Sequence, residues 1–146
     1  MKHIYYYDEY YKDVSSLADR YAKIKNPHVV SVYKDSLPFG VQISNLLNCG
    51  MSIISSENGK AEWILNNTDR DTRLFPYLIC VDITYREDVF SSIKELPEFN
   101  RNPDYTLYSL FGHDNDLGVF YSHELIYKEV NFPWQRMMIQ NDLRTR

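Results

Sequence analysis

Residues 74–84 read LFPYLICVDIT, an almost unbroken apolar run in which Asp82 is the one charged side chain. A run of this kind reads as a strand buried on both faces, in the middle of a sheet. Pro76 has no N–H to donate, so it belongs at the start of that strand or at a bulge. Asp82 closes the run ahead of an amphipathic segment, Arg86–Leu96, with Val89, Phe90, Ile93 and Leu96 on one face. Thr84 and Glu87 are spaced as a capping box for that helix.

Upstream, MSIIS (51–55) and AEWILN (61–66) flank Glu57-Asn58-Gly59-Lys60. Asn-Gly takes the positive φ values of a type I′ turn, so the two runs are expected to form a hairpin. Ser36 is placed to cap a helix that has Pro38 in its first turn and a stripe of Phe39, Ile43, Leu46 and Leu47, with Gly50 after its end. VVSVY (29–33) is β-branched and reads as a strand. Tyr10, Val14, Leu17, Ala18, Tyr21 and Ile24 repeat with helical spacing; Asp8 is the expected N-cap and Asn26-Pro27 the stop. HIYYY ahead of it is a candidate strand, with Tyr5 and Tyr7 on one face and Ile4 and Tyr6 on the other.

Downstream, PEFNRNPD (97–104) reads as a loop. YTLYSLF (105–111) and GVFYSHELIY (118–127) read as a second hairpin across Gly112–Leu117, and Pro133–Leu143 as a C-terminal helix. The sum is a single α+β domain spanning 1–146: a mostly antiparallel sheet of about five to seven strands with about four helices packed on it. The element order loosely resembles that of acetyltransferases of the GNAT type. The step from Ile83 through Tyr85-Arg86-Glu87, however, lacks the glycine-rich turn such enzymes use to hold pyrophosphate, so no family is assigned on it.

Thirteen tyrosines, seven phenylalanines and two tryptophans in 146 residues make disorder an unsuitable description. The formal net charge is −4 and the cations are scattered, so the chain has no footprint for binding nucleic acid directly. A negative field favours basic partners instead. Cys49 and Cys80 form no CxxC or Cys/His cluster; the expectation is buried free thiols and no metal or cofactor. The uncharged stretch Ser36–Ser56 is long enough to span a bilayer, but its proline, glycine, asparagines and serines mark it as core. MKHIYYYDE has no apolar h-region, so a cytoplasmic protein is expected, with no membrane contact.

Catalytic candidates are few. Asp82 stands where the carboxyl end of a central strand opens into the site of many α/β proteins, which suits a base or metal ligand; a hydrogen bond at a helix start is the other reading. His113 and His123 flank one predicted hairpin, with Glu124 beside the second. Asp114 and Asp116 ahead of Gly118 faintly resemble a cation loop, but the further oxygen ligands such a loop needs are missing. No nucleophile motif is present.

Tyr5, Tyr6, Tyr7 and Tyr11 lie among Asp8, Glu9 and Asp13. Exposed tyrosine beside carboxylates is a common binding chemistry: the ring supplies rigid apolar area and the acids select Lys and Arg. The expectation is therefore a small acidic inhibitor, of immunity-protein, antitoxin or phage-inhibitor character, that blocks a basic protein. Asp69, Asp71, Asp114 and Asp116 would extend its surface, and the protein leans away from being an enzyme. The alternative is a small hydrolase or nuclease using Asp82, His113, His123 and Glu124. A third reading is a structural subunit that oligomerises through its tyrosines.

Overall fold

The computed structural model describes residues 2–24, 27–33, 35–56, 59–66, 76–83, 87–101, 104–112, 118–126 and 129–135. Strands are β1 (Lys2–Ile4), β2 (His28–Tyr33), β3 (Met51–Ser55), β4 (Glu62–Leu65), β5 (Tyr77–Ile83), β6 (Tyr105–Gly112), β7 (Phe120–Glu124) and β8 (Glu129–Asn131). Helices are α1 (Tyr7–Tyr21), α2 (Leu37–Leu47), α3 (Glu87–Lys94) and α4 (Pro97–Arg101).

The main sheet has the order β4-β3-β2-β5-β6-β7. Every neighbouring pair in it is parallel except β3–β4. This corrects the expected mostly antiparallel sheet. Unbroken buried runs such as Tyr77–Val81 and Leu107–Phe111 are the mark of parallel strands covered on both faces. The expected antiparallel pairing of MSIIS with AEWILN is present as β3–β4, and it is confined to one edge.

One face of the sheet packs Val29, Leu78, Cys80, Tyr108 and Leu110 against Tyr10, Val14 and Leu17 of α1 and Phe39 and Ile43 of α2. The other packs Val30, Val32, Ile79, Val81 and Leu107 against Phe90 and Ile93 of α3 and Phe99 of α4. The architecture is therefore α/β in three layers. Residues 97–101, expected as loop, are a short helix because Pro97 fits the first helical position.

β6 and β7, expected as a hairpin, run parallel, with Tyr108 opposite Phe120 and Phe111 opposite His123. β1 pairs parallel with β8 in a separate two-stranded sheet. Tyr5 N–H donates to Asn131 O at 2.9 Å, and the Tyr5 ring packs edge-on against Phe111 and Phe132. Tyr7 belongs to α1, so Tyr5 and Tyr7 do not share a strand face. Tyr6, not Asp8, is the N-cap of α1; Asp8 and Glu9 sit in its first turn, where the helix dipole favours carboxylates.

Among the described residues no helix is long and apolar enough to cross a membrane. Ser36–Ser56 folds as α2 and β3. The Thr84 cap, Asn58 and the predicted helix beyond Gln135 lie outside the described residues.

Candidate functional site

β2 has β3 on one side and β5 on the other, so the chain reverses its direction of winding between β2 and β5. In open α/β sheets such a switch point leaves a crevice beyond the carboxyl ends of the two strands. Ser36 follows β2, and Asp82 stands near the end of β5.

Their side chains meet at that switch point. Ser36 Oγ donates to Asp82 Oδ1 at 3.1 Å, and the Asp82 backbone N–H donates to Ser36 Oγ at 2.9 Å. Ser36 is 2 % exposed and Asp82 7 %. Ser36 occupies the N-cap position of α2, but its hydroxyl makes no capping bond to its own helix. The hydroxyl that sequence spacing assigned to a cap holds the carboxylate of the neighbouring strand instead.

Two further contacts brace Ser36. Ser31 Oγ donates to Ser36 O at 2.8 Å, and Gly40 N–H donates to the same oxygen at 3.0 Å. Gly40 sits against Ser31, where a Cβ would overlap the serine side chain. The glycine that lowers the helix propensity of α2 is what lets the helix approach β2. With Ser36 at the N-cap, the positive end of the α2 dipole lies beside the Ser36–Asp82 pair.

The other candidates fall elsewhere. His123 lies on β7, two strands or about 10 Å from β5. Its Nε2 is 2.6 Å from Asp13 Oδ2, an oxygen that also accepts from Tyr5 OH. Glu124 is exposed and follows His123 on the strand, so it points to the opposite face. The proposed hydrolase set of Asp82, His123 and Glu124 therefore does not converge; His113, its fourth member, lies outside the described residues, as do Asp69, Asp71, Asp114 and Asp116. Among the described residues no cluster of three His, Cys, Asp or Glu side chains could hold a metal.

The tyrosines divide. Tyr5 is fully buried, which removes it from any binding surface, and Tyr5 and His123 both engage one oxygen of Asp13, Oδ2. Burial and the Asp13 carboxylate both push the Tyr5 phenol above its ordinary pKa. Tyr6, Tyr7 and Tyr11 are exposed, with Tyr7 and Tyr11 stacked. Cys49 and Cys80 are free thiols, each raised in pKa by burial. Ser36 was missed as a site residue; its partner is 46 positions away, and no local pattern marks the pair.

No family model matches the sequence, and no curated protein does. Solved structures match it closely in fold. A xanthine-guanine-hypoxanthine phosphoribosyltransferase from Helicobacter pylori superposes with a TM-score of 0.73 at 18 % identity, covering 100 % of both chains. A purine phosphoribosyltransferase from Pyrococcus horikoshii Ot3 gives 0.71 at 16 % identity, covering 92 % of this chain and 93 % of that one. A hypothetical protein from Neisseria gonorrhoeae with bound ppGpp gives 0.70 at 14 % identity, over 99 % of this chain and 94 % of that one.

The fold is thus that of the type I phosphoribosyltransferases, and not that of the acetyltransferases its element order resembles. These likenesses also correct the functional expectation. End-to-end agreement with purine phosphoribosyltransferases overturns the reading as an inhibitor, immunity protein or antitoxin, which rested on composition. They leave the hydrolase and oligomerising-subunit readings without support as well.

Proposed function

We propose that this chain is an enzyme of purine nucleotide salvage, joining a purine base to a phosphoribosyl group in the cytoplasm. The observation that carries the reading is the Ser36–Asp82 pair, set at the switch point of a sheet shared end to end with purine phosphoribosyltransferases. A carboxylate held in a fixed orientation there accepts hydrogen bonds from ribose hydroxyls. The start of α2 favours phosphate in the same crevice.

The stretches joining β2 to α2 (34–36) and β5 to α3 (84–86) contain no glycine, and each carries one cation, Lys34 and Arg86. Phosphate cradles built from backbone amides rely on glycine for close approach. In this reading, side-chain charge takes over part of that task. The same absence favours a second reading, in which the crevice binds a purine nucleotide without transferring the phosphoribosyl group.

The test is to incubate the protein with guanine, hypoxanthine or xanthine and 5-phosphoribosyl 1-diphosphate, with Mg²⁺ for the diphosphate, and to follow nucleotide formation by chromatography. Turnover that falls by about a hundredfold in Asp82→Asn, the equivalent of about 3 kcal/mol, supports transfer. Binding of purine nucleotides by calorimetry without turnover supports the second reading. Neither turnover nor binding overturns both.

A further inference from the structure

We infer that the groove between α1 and β7 is a second small-molecule site, one that takes a zwitterion of amino-acid size. The groove holds about 360 Å³, within the range of small-ligand sites of about 300–1,000 Å³. Asp13, Ser16 and Arg20 line it from one face of α1, Tyr108 from β6, and Tyr121 and Ser122 from β7. Tyr108 pairs with Cys80 across the sheet, two residues before Asp82, and β7 is one strand further out. The groove is therefore separate from the Ser36–Asp82 crevice.

Its two charges are set up for a ligand. Tyr5 OH and His123 Nε2 both engage Asp13 Oδ2 and hold the carboxylate in one orientation. Asp13 Oδ1 has no partner among the described residues. Arg20 makes no ion pair or hydrogen bond among the described residues either, and it lies close enough to Tyr108 for its charge to act on the phenol. An anion and a cation thus border one cavity without meeting each other.

Seven residues of helix separate Asp13 from Arg20 by about 10.5 Å along the axis. Helical side chains lean toward the N-terminus, so Arg20 reaches back toward Asp13. The remaining gap suits a molecule a few ångströms long with a hydrogen bond of about 2.9 Å at each end. An ammonium satisfies Asp13 and a carboxylate satisfies Arg20. Ser16 and Tyr121 flank the middle, and the Tyr108–Ser122 hydroxyl pair closes one wall. A phosphate dianion meets one cation and one anion here, and a simple amine leaves the guanidinium unpaired; the zwitterion satisfies both.

The experiment uses the ¹⁵N-labelled full chain. Single amino acids are added at about 10 mM, enough to populate a millimolar site, with acetate, methylamine and orthophosphate as controls. At least one amino acid is expected to shift the amides of residues 13–20 and 120–123 in a saturable way, while the three controls do not. Arg20→Gln, an exposed position that leaves the core untouched, is expected to weaken that binding by about tenfold or more. Ser122→Ala gives a smaller loss in the same direction. No shift with any amino acid, equal shifts with acetate or orthophosphate alone, or undiminished binding by Arg20→Gln would each overturn the proposal. The readout does not involve phosphoribosyl transfer, so the result is independent of the salvage reading.

Discussion

His28 at the start of β2 and Ser52 on β3 are both buried, and His28 Nε2 lies 2.8 Å from Ser52 Oγ. Burial lowers the His28 pKa, because the charged imidazolium loses its hydration. The unfolded chain therefore takes up a proton on His28, near pH about 6.5, that the folded chain refuses. Stability from this source is complete above that value and declines as the pH falls toward the lowered folded pKa. Urea melts from pH 7.5 to pH 5 are expected to show this decline, and His28→Gln to show a shallower one. Equal slopes in the two proteins would contradict the assignment.

Ser36→Ala tests the crevice separately from chemistry. It removes the donor to the Asp82 carboxylate and the acceptor for the Asp82 N–H. The expected loss of stability is about 1–3 kcal/mol by urea denaturation. Purine nucleotide affinity should fall too, because the carboxylate loses its fixed orientation. A variant of unchanged stability would mean that water replaces the hydroxyl without cost.

Gly40→Ala puts a methyl group into Ser31. Overpacking of this kind costs about 1–3 kcal/mol, even though alanine is the better helix former. The double variant Ser31→Gly with Gly40→Ala clears the overlap. A double-mutant cycle should return a favourable coupling of about 1 kcal/mol or more. Strict additivity would show that α2 shifts away from β2 instead.

The N-terminal tyrosines should separate cleanly by stability. Tyr5→Ala empties a fully buried position ringed by Tyr10, Phe111, His123 and Phe132, and about 3–5 kcal/mol is expected by analogy with other aromatic truncations. Tyr11→Ala, half exposed at 50 %, should cost within about 0.5 kcal/mol. Calorimetric melting of both variants checks the contrast.

The sequence was most informative where burial is complete. LICVDI and VVSVY are strands in which nearly every side chain is apolar, a pattern tolerated only under helices on both faces, and the same fact points to parallel neighbours. That second implication was masked by turn chemistry. Gly112 through Asp116 holds the residues a hairpin turn uses, yet the strands on either side of it run parallel. Three-residue strands such as Lys2–Ile4 and Glu129–Asn131 have too few side chains to show any period. The candidate site was half legible. Asp82 stands out as the lone carboxylate of an apolar run. Ser36 does not, because a serine ahead of a helix is explained locally by capping, and its actual partner is distant in sequence.

The pairing of β1 with β8 has a consequence for how the protein is made. Lys2 leaves the ribosome about 127 residues ahead of its partner Glu129. Synthesis runs at about 5–20 residues per second, so Tyr5 waits for several seconds before Asn131 and Phe132 exist to enclose it. The sheet from β2 to β6 can assemble in that interval. The aromatic cluster around Tyr5 closes only after Phe132 has been made, and it joins β1 to β8 once the strands between them are in place.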